Sequence, residues 1–534
     1  MNIPAASFAQ ADHSVSPPRL IVPRDYNAAA DLVERNLAPG RADRIAFIDD
    51  KGSYSFAELA RRVNRCANAW RRLGLRAEDR VALLLHDSID FPTAFLGAIR
   101  AGVVPIPCNT MLTADDYRFL LADSRARAIV VSAPLAPLIG PLAAALPSLE
   151  HLIVSGGEAG GMTGFDGWIA SESSGAAAAA TTADDVCFWL YSSGSTGSPK
   201  GAVHLHSDLI HTAELYARPV LGIAAEDVVF SAAKLFFAYG LGNALTFPMA
   251  VGATSVLMAE RPTPAAVFRR LVERRPTIFY GVPTLYAAML ASADFPARGR
   301  LALRRCVSAG EALPAELGKR WVEATGVDIL DGLGSTEMLH IFLSNHPDDV
   351  RYGTSGRPVP GYALRVVDDA GNPVAAGEIG ELQVSGPTSS PYYWNNRAKS
   401  LATFLGPWTR SGDKYIVDAD GRYTYCGRSD DMLKVGGIYV SPFEVEAALA
   451  THEAVLEAAV VGHADENGLI KPKAFIVLKP GRDSSPALAD ALKEHVKTRL
   501  APFKYPRWVE FVAELPKTAT GKIQRFRLRD RPGT

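Results

Sequence analysis

Cysteine is scarce. The chain of 534 residues holds five (Cys66, Cys108, Cys187, Cys306 and Cys426), scattered, with no CxxC pair and no histidine cluster beside them. That excludes a disulfide framework and a zinc site, and predicts buried, inert thiols in a reducing compartment. Long apolar runs are also missing. The most apolar stretches, such as Ala128 to Leu146, are broken by proline and glycine and cannot span a bilayer. The opening residues, MNIPAASFAQADHSVSPPRL, lack a basic start followed by an apolar run, so no secretory signal is expected and the cytoplasm is the expected compartment. Nor is there an excess of either charge: 56 basic residues face 57 acidic ones. No global field favours nucleic acid or an anionic membrane, and neither is expected as a partner. What remains, 48% apolar and 21% charged, is the make-up of an ordinary globular protein too long for one core. Locally, Lys and Arg gather near the C-terminus, from Arg499 and Lys504 to Arg527 and Arg529. Such a stretch is either a solvated basic tail or a surface that meets phosphates.

Short apolar runs alternate with helical patterns through most of the chain, which predicts an α/β fold. Phe56 to Leu73 and Phe91 to Ala101 have helical spacing, while Val81 to Leu85, Ala128 to Val131 and Phe188 to Tyr191 read as strands. Strand-to-loop steps follow at Thr277 to Tyr280, Arg305 to Ala309 and Asp328 to Leu330. Ligands collect at the carboxyl ends of strands in open α/β sheets, so these loops are expected to converge. Beyond about Gly361 short alternating strands and turns predict a β-rich subdomain. From Asp430 onward the pattern is a small α+β domain: helices at Pro442 to Ala450 and Pro486 to Leu500, strands at Ala458 to Gly462, Lys473 to Leu478 and Val509 to Val512.

The strongest local feature is Tyr191-Ser-Ser-Gly-Ser-Thr-Gly-Ser-Pro-Lys200-Gly201. A strand runs into glycines and hydroxyls, which offer backbone N–H groups and O–H groups to a polyphosphate. Pro199 stands where a Walker loop needs glycine, so this is a different phosphate loop. A generic Gly/Ser linker would not follow an apolar strand or end in Pro-Lys-Gly. Four further strings follow in order: Gly332-Leu-Gly-Ser-Thr-Glu337, Ser411-Gly-Asp413, Gly427-Arg-Ser-Asp-Asp431 and Pro516-Lys-Thr-Ala-Thr-Gly-Lys522. Together they resemble the adenylate-forming superfamily, which includes acyl- and aryl-CoA synthetases, luciferases and peptide-synthetase adenylation domains. The resemblance covers nearly the whole chain.

It implies ATP, Mg2+ and CoA as co-substrates and cofactor. A large N-terminal adenylation domain (1–429) of α/β subdomains plus a β-rich subdomain, binding AMP/ATP and the acyl group, would be followed by a small mobile C-terminal domain (430–534) hinged at Asp430. Ser192, Ser193, Ser195, Thr196 and Lys200 would hold the β- and γ-phosphates. Thr336 would touch the α-phosphate and Glu337 would help hold magnesium, a hard cation that accepts one carboxylate and phosphate oxygens. In isolation Glu337 would read as a solvated surface acid. Ser308, Ala309, Gly310 and Glu311, with Asp331 and Gly332, resemble adenine-binding segments. Asp413 would accept both ribose hydroxyls and Arg428 would meet the ribose or α-phosphate; alone, they would read as a turn residue and a surface ion pair. Lys522 is the catalytic residue implied for adenylation. Attack of a carboxylate on the α-phosphate brings two anions together, and a positioned ammonium answers that charge. Lys434, Gly436 and Gly437 would serve transfer to CoA by lining the pantetheine tunnel. A homodimer, and a lysine acetyltransferase acting on Lys522, are the protein partners to be tested.

The acid is narrowed by Lys234-Leu-Phe-Phe-Ala-Tyr-Gly-Leu-Gly-Asn243, which aligns with the family's acyl pocket. It carries no Asp to pair with a substrate ammonium, which argues against amino acids. Phe237, Ala238, Tyr239, Gly240, Tyr280, Gly281, Gly334, His340 and Ile341 would form a flat, largely aromatic enclosure suited to a small aromatic carboxylate. A packed core is the alternative for these aromatics. The segment Glu337 to Ser344, with Leu235 to Asn243, is similar to benzoate-CoA ligases. 4-Hydroxybenzoate and 2-aminobenzoate are the alternative acids. A luciferase-like oxygenase, a carrier-protein loader and a nucleotide-binding regulator without catalysis are the alternative functions.

Overall fold

The computed structural model describes residues 8–194, 197–429, 431–435, 438–466, 469–501, 503–517 and 523–529. The chain divides into two compact units. The first comprises Met1–Tyr352, Gly356–Ala363 and Ser385–Thr409; the second comprises Gly353–Ser355, Leu364–Val384 and Arg410–Thr534. The expected hinge, Asp430, lies outside the described residues.

In the first unit the apolar runs become two largely parallel sheets. One has five strands, in the order Val104–Pro107, Arg80–Leu84, Ala128–Ser132, His151–Ser155 and Thr163–Gly164, each parallel to its neighbour. Strands buried on both faces read as continuous apolar runs, and Ala128–Ser132 is buried at every position. The helix Phe56–Arg72 starts at a capping box, with Ser55 and Glu58 exchanging hydrogen bonds, and buries Leu59, Val63, Cys66 and Trp70 along one face. The helix Asp90–Ala101 is buried on every side and ends at Gly102 in the left-handed conformation.

The second sheet has nine strands. Its centre is parallel: Thr254–Val256, Val228–Ser231, Ile278–Gly281, Arg305–Ser308 and Ile329–Gly334, adjacent in that order. The expected strand-to-loop steps are therefore neighbours, and their carboxyl ends lie side by side. Ile329–Gly334 runs three residues beyond its parallel partner. There it pairs antiparallel with Ile341–Ser344, through Gly332 opposite Ser344 and Gly334 opposite Ile341. The strand expected over Phe188 to Tyr191 is also longer. Val186–Gly194 continues through Ser192 and pairs antiparallel with Gly197–Leu205, so the phosphate loop is the tip of a hairpin. Two π-helical stretches, Ala213–Leu221 and Gly242–Thr246, have no counterpart in the sequence reading.

The second unit contains the antiparallel pair Trp408–Val417 and Tyr423–Arg428 and a three-stranded sheet of Val455–Ala464, Ile470–Leu478 and Trp508–Phe511. Helices Pro442–Ala450 and Pro486–Lys497 complete the expected α+β pattern. Their core joins Val445, Leu449, Val460, Ile476, Leu492 and Val496. The second helix stops at Lys497, short of the expected Leu500. On the first helix Glu446 pairs with the Arg525 guanidinium at 2.7 Å, and the same carboxylate accepts the Val460 N–H at 2.7 Å. Among the described residues no helix is long and apolar enough to cross a membrane.

Candidate active site

The hairpin sets Ser192 directly opposite Lys200 and Tyr191 opposite Gly201. Its base is fixed from outside. The Tyr191 hydroxyl donates to the Asp123 carboxylate at 2.6 Å, and the Trp394 indole N–H donates to the Asp123 carbonyl at 2.9 Å. Burial and that carboxylate both push the Tyr191 phenol upward, so it stays a donor. Among the described residues the Ser192 hydroxyl is buried without a hydrogen-bond partner. Such an orphan is costly unless a ligand answers it. The Ser193 side chain, Ser195 and Thr196 lie outside the described residues.

Across from Lys200 stands a residue the sequence reading missed. The Lys200 ammonium lies 4.8 Å from the centre of the Tyr393 ring, and the Tyr393 hydroxyl donates to Glu337 Oε1 at 2.7 Å. The Glu337 carbonyl accepts the Ser390 N–H at 2.7 Å. One aromatic ring thus links the lysine of the phosphate hairpin to the acid expected to hold magnesium. The signal was present in the sequence as Tyr392-Tyr393-Trp394, an aromatic run within a polar loop.

Thr336 and Glu337 sit in the turn that joins Ile329–Gly334 to Ile341–Ser344. Gly334 is required there. A Cβ on it would stand 2.6 Å from the His340 carbonyl oxygen, so only glycine lets the two ends of the turn meet. Along the same strand Asp331 is buried, with the Leu313 N–H at 3.4 Å from Oδ2. Burial holds its carboxyl well above the usual range. Ser308 and Ala309 are buried at the end of the neighbouring strand, and Gly310 follows at φ +93°, with Glu311 beside it. The structure therefore gathers Ser308 to Glu311, Asp331 and Gly332 at adjacent strand ends.

The pocket residues collect at the same ends. Tyr280 and Gly281 close the strand Ile278–Gly281, and Phe237, Ala238, Tyr239 and Gly240 lead into a short helix, Ala238–Leu241. The segment is tethered at its start. The Lys234 ammonium donates to the carbonyls of Met258 and Glu260, and the Leu235 N–H donates to Asp87 Oδ1 at 3.2 Å. Burial pushes the Asp87 carboxyl up to about 6, against the pull of Lys234. The Tyr239 hydroxyl shares its proton between the carbonyls of Val307 at 3.2 Å and Gly281 at 3.3 Å. Its ring meets Tyr280 edge-on at 6.3 Å.

His340 is buried among rings, 4.5 Å from Phe247, 5.5 Å from Tyr216 and 5.7 Å from Tyr239 between centroids. Its Nε2 faces two acceptors, Asn243 Oδ1 at 3.1 Å and the Tyr239 carbonyl at 3.3 Å, so Nε2 carries the proton. Burial pushes the imidazole down to about 3, and it is neutral. Gly242 makes room for it: a Cβ there would fall 2.3 Å from His340 Cδ2. Asn243, which fixes the ring, was read only as the end of the acyl segment.

In the second unit Asp413 and Arg428 are cross-strand partners, with Arg428 Nη1 at 3.0 Å from Asp413 Oδ1. Arg428 also donates to the Ser411 carbonyl at 3.2 Å, and Ser411 Oγ accepts the Asp413 N–H at 3.1 Å. A carboxylate held from its backbone and one oxygen is a rigid acceptor. Lys434 lies on the strand Leu433–Val435, its side chain outside the described residues, as are Gly436, Gly437 and Lys522 entirely.

The sequence profile of the AMP-binding enzymes matches residues 34–394, and that of the AMP-binding enzyme C-terminal domain matches residues 444–522. The chain belongs to the AMP-binding enzyme family. A benzoate–CoA ligase of Thauera aromatica is 65% identical over 525 residues, spanning 98% of this chain and 99% of that one. A 4-hydroxybenzoate–CoA/benzoate–CoA ligase of Rhodopseudomonas palustris is 55% identical over 513 residues, or 95% and 94% of the two chains. Among solved structures, a benzoate CoA ligase from Burkholderia xenovorans LB400 is 56% identical with a TM-score of 0.88, covering 94% of this chain and all of its own. An anthranilate CoA ligase in complex with anthranoyl-AMP is 48% identical with a TM-score of 0.91, over 95% and 97%. As an AMP-binding enzyme the chain has the expected fold, a large α/β part with a small C-terminal domain.

Proposed function

We propose that this AMP-binding enzyme is a benzoate–CoA ligase. Benzoate and ATP give benzoyl-AMP and pyrophosphate, and benzoyl-AMP with CoA gives benzoyl-CoA and AMP. The observation that carries this reading is a junction within the first unit. The His340 carbonyl packs against Gly334, so the aromatic enclosure and the turn bearing Thr336 and Glu337 share one stretch of backbone. A ring held there has its carboxylate end next to hydroxyl and acid groups suited to phosphate and a cation. The relatives named above are benzoate, hydroxybenzoate and anthranilate ligases, which supports the substrate class.

The donor set fits ATP and magnesium. Ser192 supplies a buried hydroxyl without a partner among the described residues, and Lys200 an ammonium on the paired strand. Glu337 supplies one carboxylate, and no group of three or more His, Cys, Asp or Glu side chains gathers among the described residues. That suits Mg2+, which keeps waters and phosphate oxygens and needs few protein ligands. When bound, the cation neutralises charge on the phosphates as pyrophosphate leaves. Ser193, Ser195, Thr196 and Lys200 hold the β- and γ-phosphates; Thr336 orients the α-phosphate; Ser308 to Glu311, Asp331 and Gly332 take adenine; Asp413 takes the ribose, with Arg428 beside it. Lys522 serves adenylation, and Lys434, Gly436 and Gly437 serve thioester formation after movement at Asp430, the boundary between 1–429 and 430–534. The cytoplasm suits five cysteines that are all buried and unpaired. A homodimer, and a lysine acetyltransferase that silences Lys522, complete the reading.

The test is a panel of benzoate, 4-hydroxybenzoate, 2-aminobenzoate, cyclohexane carboxylate and hexanoate, assayed for AMP release with CoA present. Benzoate should give the highest kcat/KM. Hexanoate ahead of benzoate would refute the pocket, and no AMP release with any acid would refute the enzyme.

A further inference from the structure

His204 is fully buried on the return strand of the phosphate hairpin, four positions beyond Lys200, and the reaction as derived above makes no use of it. Its ring is held at one face and at both nitrogens. Phe188, its cross-strand partner, stacks on it at 5.2 Å with 22° between the planes. Nδ1 lies 2.9 Å from Asp208 Oδ2, and Nε2 lies 2.8 Å from the main-chain carbonyl of Thr336. Asp208 is buried too, and the same oxygen accepts the Leu205 N–H at 3.1 Å, which locks the carboxylate to the start of the helix His206–Thr212. A carbonyl oxygen only accepts, so Nε2 presents its N–H to Thr336, and the ring bridges that carbonyl and the Asp208 carboxyl.

We infer that His204, oriented by Asp208, is a positioning residue that registers the phosphate hairpin against the turn carrying Thr336 and Glu337. The inference rests on the roles proposed for that turn. In adenylation the bond from the α-phosphorus to the oxygen bridging it to the β-phosphate breaks as the carboxylate oxygen bonds to the α-phosphorus, and that bridging oxygen leaves with pyrophosphate. Groups on the hairpin hold the departing pyrophosphate while Thr336 and Glu337 hold the other side and the metal. The separation between the two sets has to stay fixed as charge redistributes, because misplacement of an ångström forfeits much of the rate. A ring bonded at the Thr336–Glu337 peptide and built into the hairpin strand sets that separation. Through Tyr393 a second residue of the same strand, Lys200, is linked to the Glu337 carboxylate, so the turn is gripped at both its backbone and its acid.

The test compares two substitutions at one site. An amide at the end of Gln reaches the place of Nε2, whereas that of Asn reaches only the place of Nδ1. His204→Asn therefore keeps a partner for Asp208 and loses the bond to Thr336; His204→Gln keeps the bond to Thr336. In pyrophosphate–ATP exchange with benzoate, His204→Asn should lose roughly 30-fold in rate at saturating substrates, with KM for benzoate within about twofold of wild type. His204→Gln should recover to within about fivefold of wild type, although both variants lose similar thermal stability. Glu337→Gln is the control. If it leaves the exchange rate and its magnesium dependence unchanged, the proposed role of the turn fails and the inference falls with it. If the control responds and the Asn and Gln variants fall equally, the inference alone is overturned. Wild-type enzyme labelled with 15N-histidine keeps the question open to refutation should neither variant fold. With threonine labelled at its carbonyl carbon as well, its spectrum should contain one slowly exchanging ring Nε2–H coupled across a hydrogen bond to a threonine carbonyl, and a spectrum without one overturns the proposal.

Discussion

Tyr393 performs two tasks that separate cleanly by substitution. Its ring lies against the Lys200 ammonium, and its hydroxyl donates to the Glu337 carboxylate. Tyr393→Phe keeps the first and removes the second. Hydrogen bonds to charged groups contribute about 1.5–3 kcal/mol when buried, so the exchange rate should fall about tenfold and the magnesium needed for half-maximal rate should rise. KM for benzoate should not move; a titration of rate against magnesium checks both. His340 makes a different statement, about pH. The fold holds its imidazole neutral, with a pKa near 3 against an ordinary value of about 6.5. A depressed base contributes in full above about 6.5 and less as pH falls, since the unfolded chain then binds the proton that the fold refuses. Between pH 7.5 and pH 5 this group should remove about 2 kcal/mol of stability. His340→Ala should lack that component, so the gap between wild type and variant in urea unfolding should narrow by that amount at pH 5. The same substitution leaves space beside Phe247 and Tyr216. The ratio of kcat/KM for 4-methylbenzoate over benzoate should rise, within the roughly 10- to 200-fold that methyl-scale discrimination allows (about 1–3 kcal/mol).

At the scale of elements, the chain writes some of its structure plainly and some not at all. Ala128–Ser132, apolar throughout, could be read as a buried strand because both faces of its sheet are covered. Pro442–Ala450 could be read from its Ser441 cap and the proline behind it, which fix the start of a helix locally. The phosphate segment was legible as chemistry but not as a hairpin. Its second strand is recruited by pairing with the first, a long-range choice that glycines and serines do not announce. The π-helical turn at Gly242–Thr246 escaped for a similar reason. Its geometry answers the need to seat His340, which comes from nearly a hundred residues further along the chain. The candidate site followed the same rule. Thr336, Glu337, Asp413 and Arg428 stand in strings whose spacing is local, whereas Tyr393, Asn243 and His204 act through contacts that only the fold creates. The π-helical start yields a prediction of its own. A methyl group on Gly242 would meet His340 Cδ2 at 2.3 Å and Nε2 at 2.7 Å, so Gly242→Ala must push the ring off Asn243. Overpacking of this kind costs about 1–3 kcal/mol. Thermal unfolding should register that loss, and KM for benzoate should rise about tenfold while KM for ATP stays put.

For the whole molecule, one chain has to serve two reactions with opposite needs. Adenylation requires positive charge at an α-phosphate under attack by a carboxylate, and water kept away. Thioester formation requires a thiol to reach the same carbonyl after pyrophosphate has gone. The proposed assignment divides the work, with Lys522 serving adenylation and Lys434, Gly436 and Gly437 serving transfer. The two half-reactions then respond to substitution in opposite ways. Lys522→Ala should abolish pyrophosphate–ATP exchange, a loss of about 2.7–4 kcal/mol or roughly a hundred- to a thousandfold, while CoA transfer from supplied benzoyl-AMP stays within a few-fold of wild type. Lys434→Ala should keep the exchange and slow the transfer. Acetylation of Lys522 deletes the same charge and should mimic the first variant, without affecting the second half-reaction. The decisive pair of measurements is isotope exchange for the first step and release of CoA thioester from benzoyl-AMP for the second, on both variants. Equal loss in both steps for Lys522→Ala would end the division of labour, because a residue that serves only one arrangement cannot slow the other.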